Sequence, residues 1–221
     1  MVGRLPIDDY SCGIVTLRSD RIAANEEAPL AHASSPTTVT DVQIPGLGPV
    51  TEDTDLDWYR SAPISVAVHG GRACQFVVEG YDDDEQQQDF HAAIRTFLVL
   101  DRSALDVAAA PIFAYYRDVM DDVLADGDDG WYVEINRSQD VFDHVRLGSR
   151  PTVSRDPYGD RHVYVSVECE CDWEPEHGLQ IVFRDGATVT KVGPYDGHLT
   201  NAAAYNDDRL DGAAYQARRR T

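Results

Sequence analysis

His162–Phe183 reads HVYVSVECECDWEPEHGLQIVF. As a strand it sends Val163, Val165, Val167, Cys169 and Cys171 to one side and Tyr164, Ser166, Glu168, Glu170 and Asp172 to the other, because successive side chains of a pleated chain alternate. An apolar side against a polar one is the mark of an antiparallel strand with one face on a core. The strand expected over Arg161–Cys171 stops at Glu176-His177-Gly178, a turn, and Leu179–Arg184 resumes as a second strand. Asp185-Gly186 turns the chain again into a third strand, Thr188–Val192. Three strands joined by short turns predict an antiparallel meander.

Upstream, Ile64–Val68 and Gln75–Gly80 flank Gly70-Gly71, the spacing of a hairpin. Phe90, Ile94, Phe97 and Leu98 then recur at helical spacing. A second helix is expected from Ser103, with Pro111 either kinking it or opening a fresh one whose Ile112, Tyr115, Tyr116, Val119 and Val123 share a face. SQDVFDHV suits a short third helix with Ser138 as N-cap. The sum is an α+β fold: an antiparallel sheet, made of the N-terminal hairpin and the C-terminal meander, packed against two or three helices. Residues 1–40 end in NEEAPLAHASSPTTVT and read as a poorly ordered extension, with a short strand suggested at Gly13–Leu17. Residues 41–205 form the single domain, and 206–221 a flexible tail carrying Arg218, Arg219 and Arg220.

The 221 residues include 39 acidic and 19 basic side chains, for a formal charge of -20. A hydrophobic share of 43% separates the chain from disordered acidic segments. Such a surface repels phosphate, which argues against nucleic acid and anionic membranes and in favour of a basic protein partner. No apolar signal core opens the chain and no run is long enough to span a bilayer, so a cytoplasmic protein is expected. Cys12, Cys74, Cys169 and Cys171 are then reduced thiols.

Several chemistries lack their residues. There is no phosphate loop, no dinucleotide glycine fingerprint and no G-x-S-x-G elbow, and HGGR at His69–Arg72 is better read as the hairpin turn. Cys169 and Cys171 suit small core residues, since straight-strand geometry holds their sulfurs roughly 6 to 7 Å apart, too far for one tetrahedral zinc. The polar candidates are Glu174, Glu176 and His177 in the turn and Asp196 and His198 in GPYDGHLT. Together they would offer carboxylates and imidazoles for a transition metal or for acid/base work; separately they are turn residues. Trp173 is either a lid over the sheet or an exposed anchor for a partner.

At these residues the chain resembles a bacterial family of uncharacterised domains, whose signature is a strand ending in Cys-x-Trp followed by E-H-G-L and a further strand. Cys171, Trp173, Glu176, His177, Gly178 and Leu179 carry it, followed by Ile181, Phe183 and the Asp196-Gly197 turn. IPGLGPV and the hairpin-plus-helix unit through Leu100 extend the resemblance over roughly residues 40–205. The family brings no established activity; it is similar to the small acidic α+β immunity partners of bacterial toxins. The expectation is a non-enzymatic binding domain without cofactor or metal, its binding residues drawn from Trp173, Glu176, His177, Asp196 and His198. The alternative is a metal-dependent or acid/base enzyme built on Glu176, His177, Asp196 and His198. The acidic runs at Asp82-Asp83-Asp84 and Asp121-Asp122 to Asp128-Asp129 lie in the helical half, away from the strand-half motif, so charge and motif are expected to be separate features.

Overall fold

A computed structural model describes residues 42–218, apart from 54, 57, 128–131 and 158. The extension over residues 1–40, its suggested strand, and Asp128-Asp129 therefore lie outside the described residues. The first three strands are β1 (Val42–Ile44), β2 (Gly48–Asp53) and β3 (Trp58–Ser61); a separate two-stranded ladder follows, β4 (Ile64–Val66) with β5 (Arg72–Cys74). Then come β6 (Val77–Glu79), helices α1 (Gln87–Val99) and α2 (Asp106–Asp126), and strands β7 (Val145–Leu147), β8 (Thr152–Arg155), β9 (Val163–Cys171), β10 (Leu179–Arg184) and β11 (Thr188–Gly193), before a short α3 (Asn201–Tyr205). The α+β reading holds.

The antiparallel meander forms, with Val167 opposite Ile181 and Ile181 opposite Val192. The hairpin differs. Ile64 pairs with Cys74, and Val77–Glu79 leaves to join the main sheet beside β3. There β6 runs parallel to β8, Val77 beside Thr152 and Val78 beside Val153, so the sheet is mixed rather than wholly antiparallel. A parallel pair needs a long crossover, and α1 and α2 lie in the connection that provides it. The third helix is a 3-10 turn, Ser138–Asp143, whose first residue is Ser138 itself; Arg137 precedes it and no side chain caps it. Helix α2 continues through Pro111, whose missing N–H falls in its second turn, four residues after the exposed Val107.

One sheet face and the two helices enclose the core. Phe90, Ala93, Ile94 and Phe97 of α1 are buried, and the Phe97 ring meets Phe183 edge-on at 5.2 Å. Gly186, at φ +70°, brings the β10–β11 turn directly against the α1 backbone at Ala93. Arg155 ties β8 to the start of α1, bonding Asp84 at 2.5 Å and Asp89 at 2.9 Å with its guanidinium over the Phe90 ring. Asp84 of the first acidic run is thereby spent on the fold.

The other sheet face is unusual for what it buries. A bulge at Thr190 puts Val189 opposite Phe183 but Lys191 opposite Val182, which turns the only lysine of the chain away from the core side. There the loop 194–200 folds back over it.

Candidate functional site

Lys191 is 1% exposed and donates to Gln180 Oε1 at 2.8 Å, Asp196 Oδ1 at 2.5 Å and the His198 carbonyl at 3.1 Å. Gln180 in turn donates to Ser166 Oγ at 2.9 Å. Burial pulls the Lys191 ammonium below its ordinary range, and the Asp196 carboxylate opposes that pull. Burial would raise Asp196, but Lys191 and the His198 N–H outweigh it and hold the carboxyl below its usual range. This network fixes the loop 194–200, which borders two depressions.

The first is a cleft of about 430 Å³ on the outer sheet face, with Thr152, Ser154, Ser166 and Gln180 among its lining. Burial raises Glu79 there, and burial followed by the charges of Glu168 and Glu79 raises the Tyr195 hydroxyl.

The second is a groove of about 550 Å³ between α2 and the loops at 174–177 and 194–196. Tyr115, Val119, Val123, Pro194 and Tyr195 give it an apolar lining, and Asp122, Asp126, Glu174 and Asp196 give it acid groups. Asp118, Asp122 and Asp126 recur at four-residue spacing and so share one helix face. Asp118 is buried and accepts from the Tyr215 hydroxyl at 3.0 Å and the Arg218 N–H at 2.8 Å. The segment expected as a flexible tail thus carries hydrogen bonds to α2, and Asn201 Nδ2 holds the Ala213 carbonyl at 2.6 Å. Asp126 has no partner among the described residues.

The residues singled out in the sequence are distributed as follows. His177 and Asp196 line the same groove, joined by Glu174, whose carboxylate also accepts the backbone N–H groups of Glu176 and His177 at 3.2 Å each. Glu176 is exposed and borders a different depression, with Arg72, Arg146 and Arg150. Each imidazole keeps a carboxylate of its own loop, His177 with Glu174 at 3.5 Å and His198 with Asp196 at 3.3 Å. Among the described residues no three His, Cys, Asp or Glu side chains are placed to hold a metal ion. Trp173 is 3% exposed, in edge contact with Tyr115 and Tyr116, its Nε1 without a hydrogen-bond partner. Cys169 and Cys171 are buried free thiols, as the alternation requires.

Charge and motif meet. Asp122 and Asp126 from the helical half stand across the groove from Glu174, His177 and Asp196 of the strand half. Reading them as separate features missed this because the relation depends on where α2 crosses the meander. Lys191 was also missed. One lysine against 18 arginines, set inside an apolar strand, was a visible signal.

No helix among the described residues is long and apolar enough to cross a membrane. No curated protein and no solved structure matches the chain. A family model does match, over residues 46–199, which takes in strands β2 to β11, both long helices, the E-H-G-L turn and Asp196. The chain belongs to the DUF6985 family, a domain of unknown function.

Proposed function

We propose that the chain is a non-enzymatic, acidic protein-binding domain that docks a basic protein, in the manner of a cytoplasmic immunity-type inhibitor of a bacterial toxin. The observation that carries this reading is the groove: four carboxylates around an apolar lining, with His177 and Asp196 of the strand-half motif among its walls. Apolar floor with polar rim is the anatomy of a protein interface. The formal charge of -20 adds long-range attraction, which raises association rates with a cationic partner and fades with salt. The paired imidazoles and the buried, bonded Lys191 support binding over catalysis, since each is already committed to a structural partner.

Co-purification from the source organism at low salt tests it, using the wild type beside Asp122→Lys/Asp126→Lys. A basic protein retained stoichiometrically by the wild type, re-formed from purified components and lost from the variant is the expected result. A wild type recovered alone, or a partner held equally by the variant, overturns the reading.

A further inference from the structure

The groove already holds a cation. Arg218 Nη1 donates to both oxygens of Asp122, at 2.5 and 2.6 Å, while its backbone N–H is held by Asp118. Three residues ahead of it Tyr215 packs outside the groove lining, its ring 5.8 Å from that of Tyr115 between centroids and its hydroxyl on Asp118. The segment is therefore anchored beside the groove by Tyr215 and presents the Arg218 guanidinium to the acidic rim. Arg218 is nevertheless 64% exposed and Asp122 54%, so the ion pair is accessible to solvent and weakly held.

We propose that the groove is an arginine-recognition site and that Arg218 is its resident occupant, a competitor in cis that an arginine of the basic partner must displace. The inference rests on the binding role proposed above and specifies the chemistry of that same site. Displacement frees Asp122, which lies one helical turn from Asp126, a residue without a partner among the described residues, and together they offer a guanidinium two carboxylates on one face. Arginine suits them better than lysine, because a planar fork of donors can bridge two acceptors while an ammonium acts as a point charge.

The test is fluorescence anisotropy of a labelled Ala-Arg-Ala-Arg-Ala-Arg peptide and its lysine twin, titrated at low salt with the full chain and three variants. Asp126→Asn removes groove charge. Arg218→Ala removes the competitor. Arg209→Ala makes the same charge change at an exposed pair with Asp207, outside the groove lining. Circular dichroism confirms that each variant is folded. The arginine peptide should bind more tightly than the lysine peptide, and Asp126→Asn should weaken it. Arg218→Ala should tighten it about threefold, the factor an exposed ion pair is worth, with Arg209→Ala falling clearly short of that. If Arg218→Ala has no effect, weakens binding, or merely equals Arg209→Ala, the resident-occupant inference is overturned; a persisting loss in Asp126→Asn would leave the acidic-groove reading in place. Peptide binding that is absent, or indifferent to Asp126, overturns both.

Discussion

The Lys191 ammonium is bonded to the Asp196 carboxylate at 2.5 Å, with the lysine side chain 1% and the aspartate 32% exposed. The lysine depends on the aspartate more than the reverse, because only the aspartate can turn to water. Asp196→Ala, which leaves an uncompensated buried charge, should cost about 3 kcal/mol in urea unfolding, whereas Lys191→Met should cost about 1 kcal/mol. The double variant should be no less stable than Asp196→Ala alone. Burial sets the folded pKa of Lys191 below its unfolded value, so its destabilising contribution shrinks as pH rises through the folded pKa. Asp196→Ala should accordingly regain stability at alkaline pH; a flat difference from wild type would contradict this account.

Gly186 should be intolerant of any side chain. A Cβ there would run into the Ala93 carbonyl and lie 3.1 Å from the Phe97 nitrogen, in a left-handed backbone. Gly186→Ala is expected to lose about 3 kcal/mol through combined clash and strain. Gly197 is the control: its φ is +78° but nothing lies within 4 Å, so Gly197→Ala should cost about 1 kcal/mol. Equal losses at the two sites would mean that the turn does not rest on α1.

His69 should make the fold acid-sensitive. It is 3% exposed with Nδ1 unpartnered, and burial, helped by Arg72 and Arg102, lowers its pKa to about 4. The unfolded histidine takes up its proton near pH ~6.5. Its folding advantage is therefore present above that pH and is lost as pH falls toward about 4. The depressed carboxylates Asp84, Asp160, Asp172 and Asp196 act in a lower window, near and below their unfolded pKa of ~3.9. Wild type should lose on the order of 2 kcal/mol relative to His69→Leu across the upper window, read from denaturation at a series of pH values.

The strand cysteines should be inert in the native state. Burial pushes the Cys171 thiol up to about 12 and drives Cys169 further in the same direction. Iodoacetamide at mildly alkaline pH should leave both unmodified by mass spectrometry until denaturant is added. Labelling of the native protein at the rate of a free peptide would show that this face of β9 is not packed.

The sequence is most legible where periodicity persists longest. β9, at nine residues, and the α1 stripe of Phe90, Ile94 and Phe97 are long enough for alternation or helical spacing to show. β5 and β6 have three residues each, too few to carry a period, so the division of the hairpin at Gln75 was hidden and with it the parallel pairing. At Pro111 the sequence leaves a kink and a fresh start equally open, because periodicity alone does not show that the proline falls in the second turn of a helix begun at Asp106. At the candidate site, His177 and Asp196 were found by residue type. Asp122 and Asp126 were seen only as charge, because their facing partners come from a distant stretch of chain.

The joint between β6 and β8 bears on how the molecule assembles. The main-sheet strands β1, β2, β3 and β6 reach the meander by way of β8, which β6 meets in two residue pairs, Val77 with Thr152 and Val78 with Val153. The meander closes through tight turns, but this joint closes the whole loop from Val78 to Val153, an entropic cost that must be met before any contact across it stabilises the sheet. The meander is therefore expected to form first and the N-terminal strands to join it late. Native-state hydrogen exchange should find the amides of β9 and β10 opening last, and those of β1, β2 and β3 released together at lower free energy.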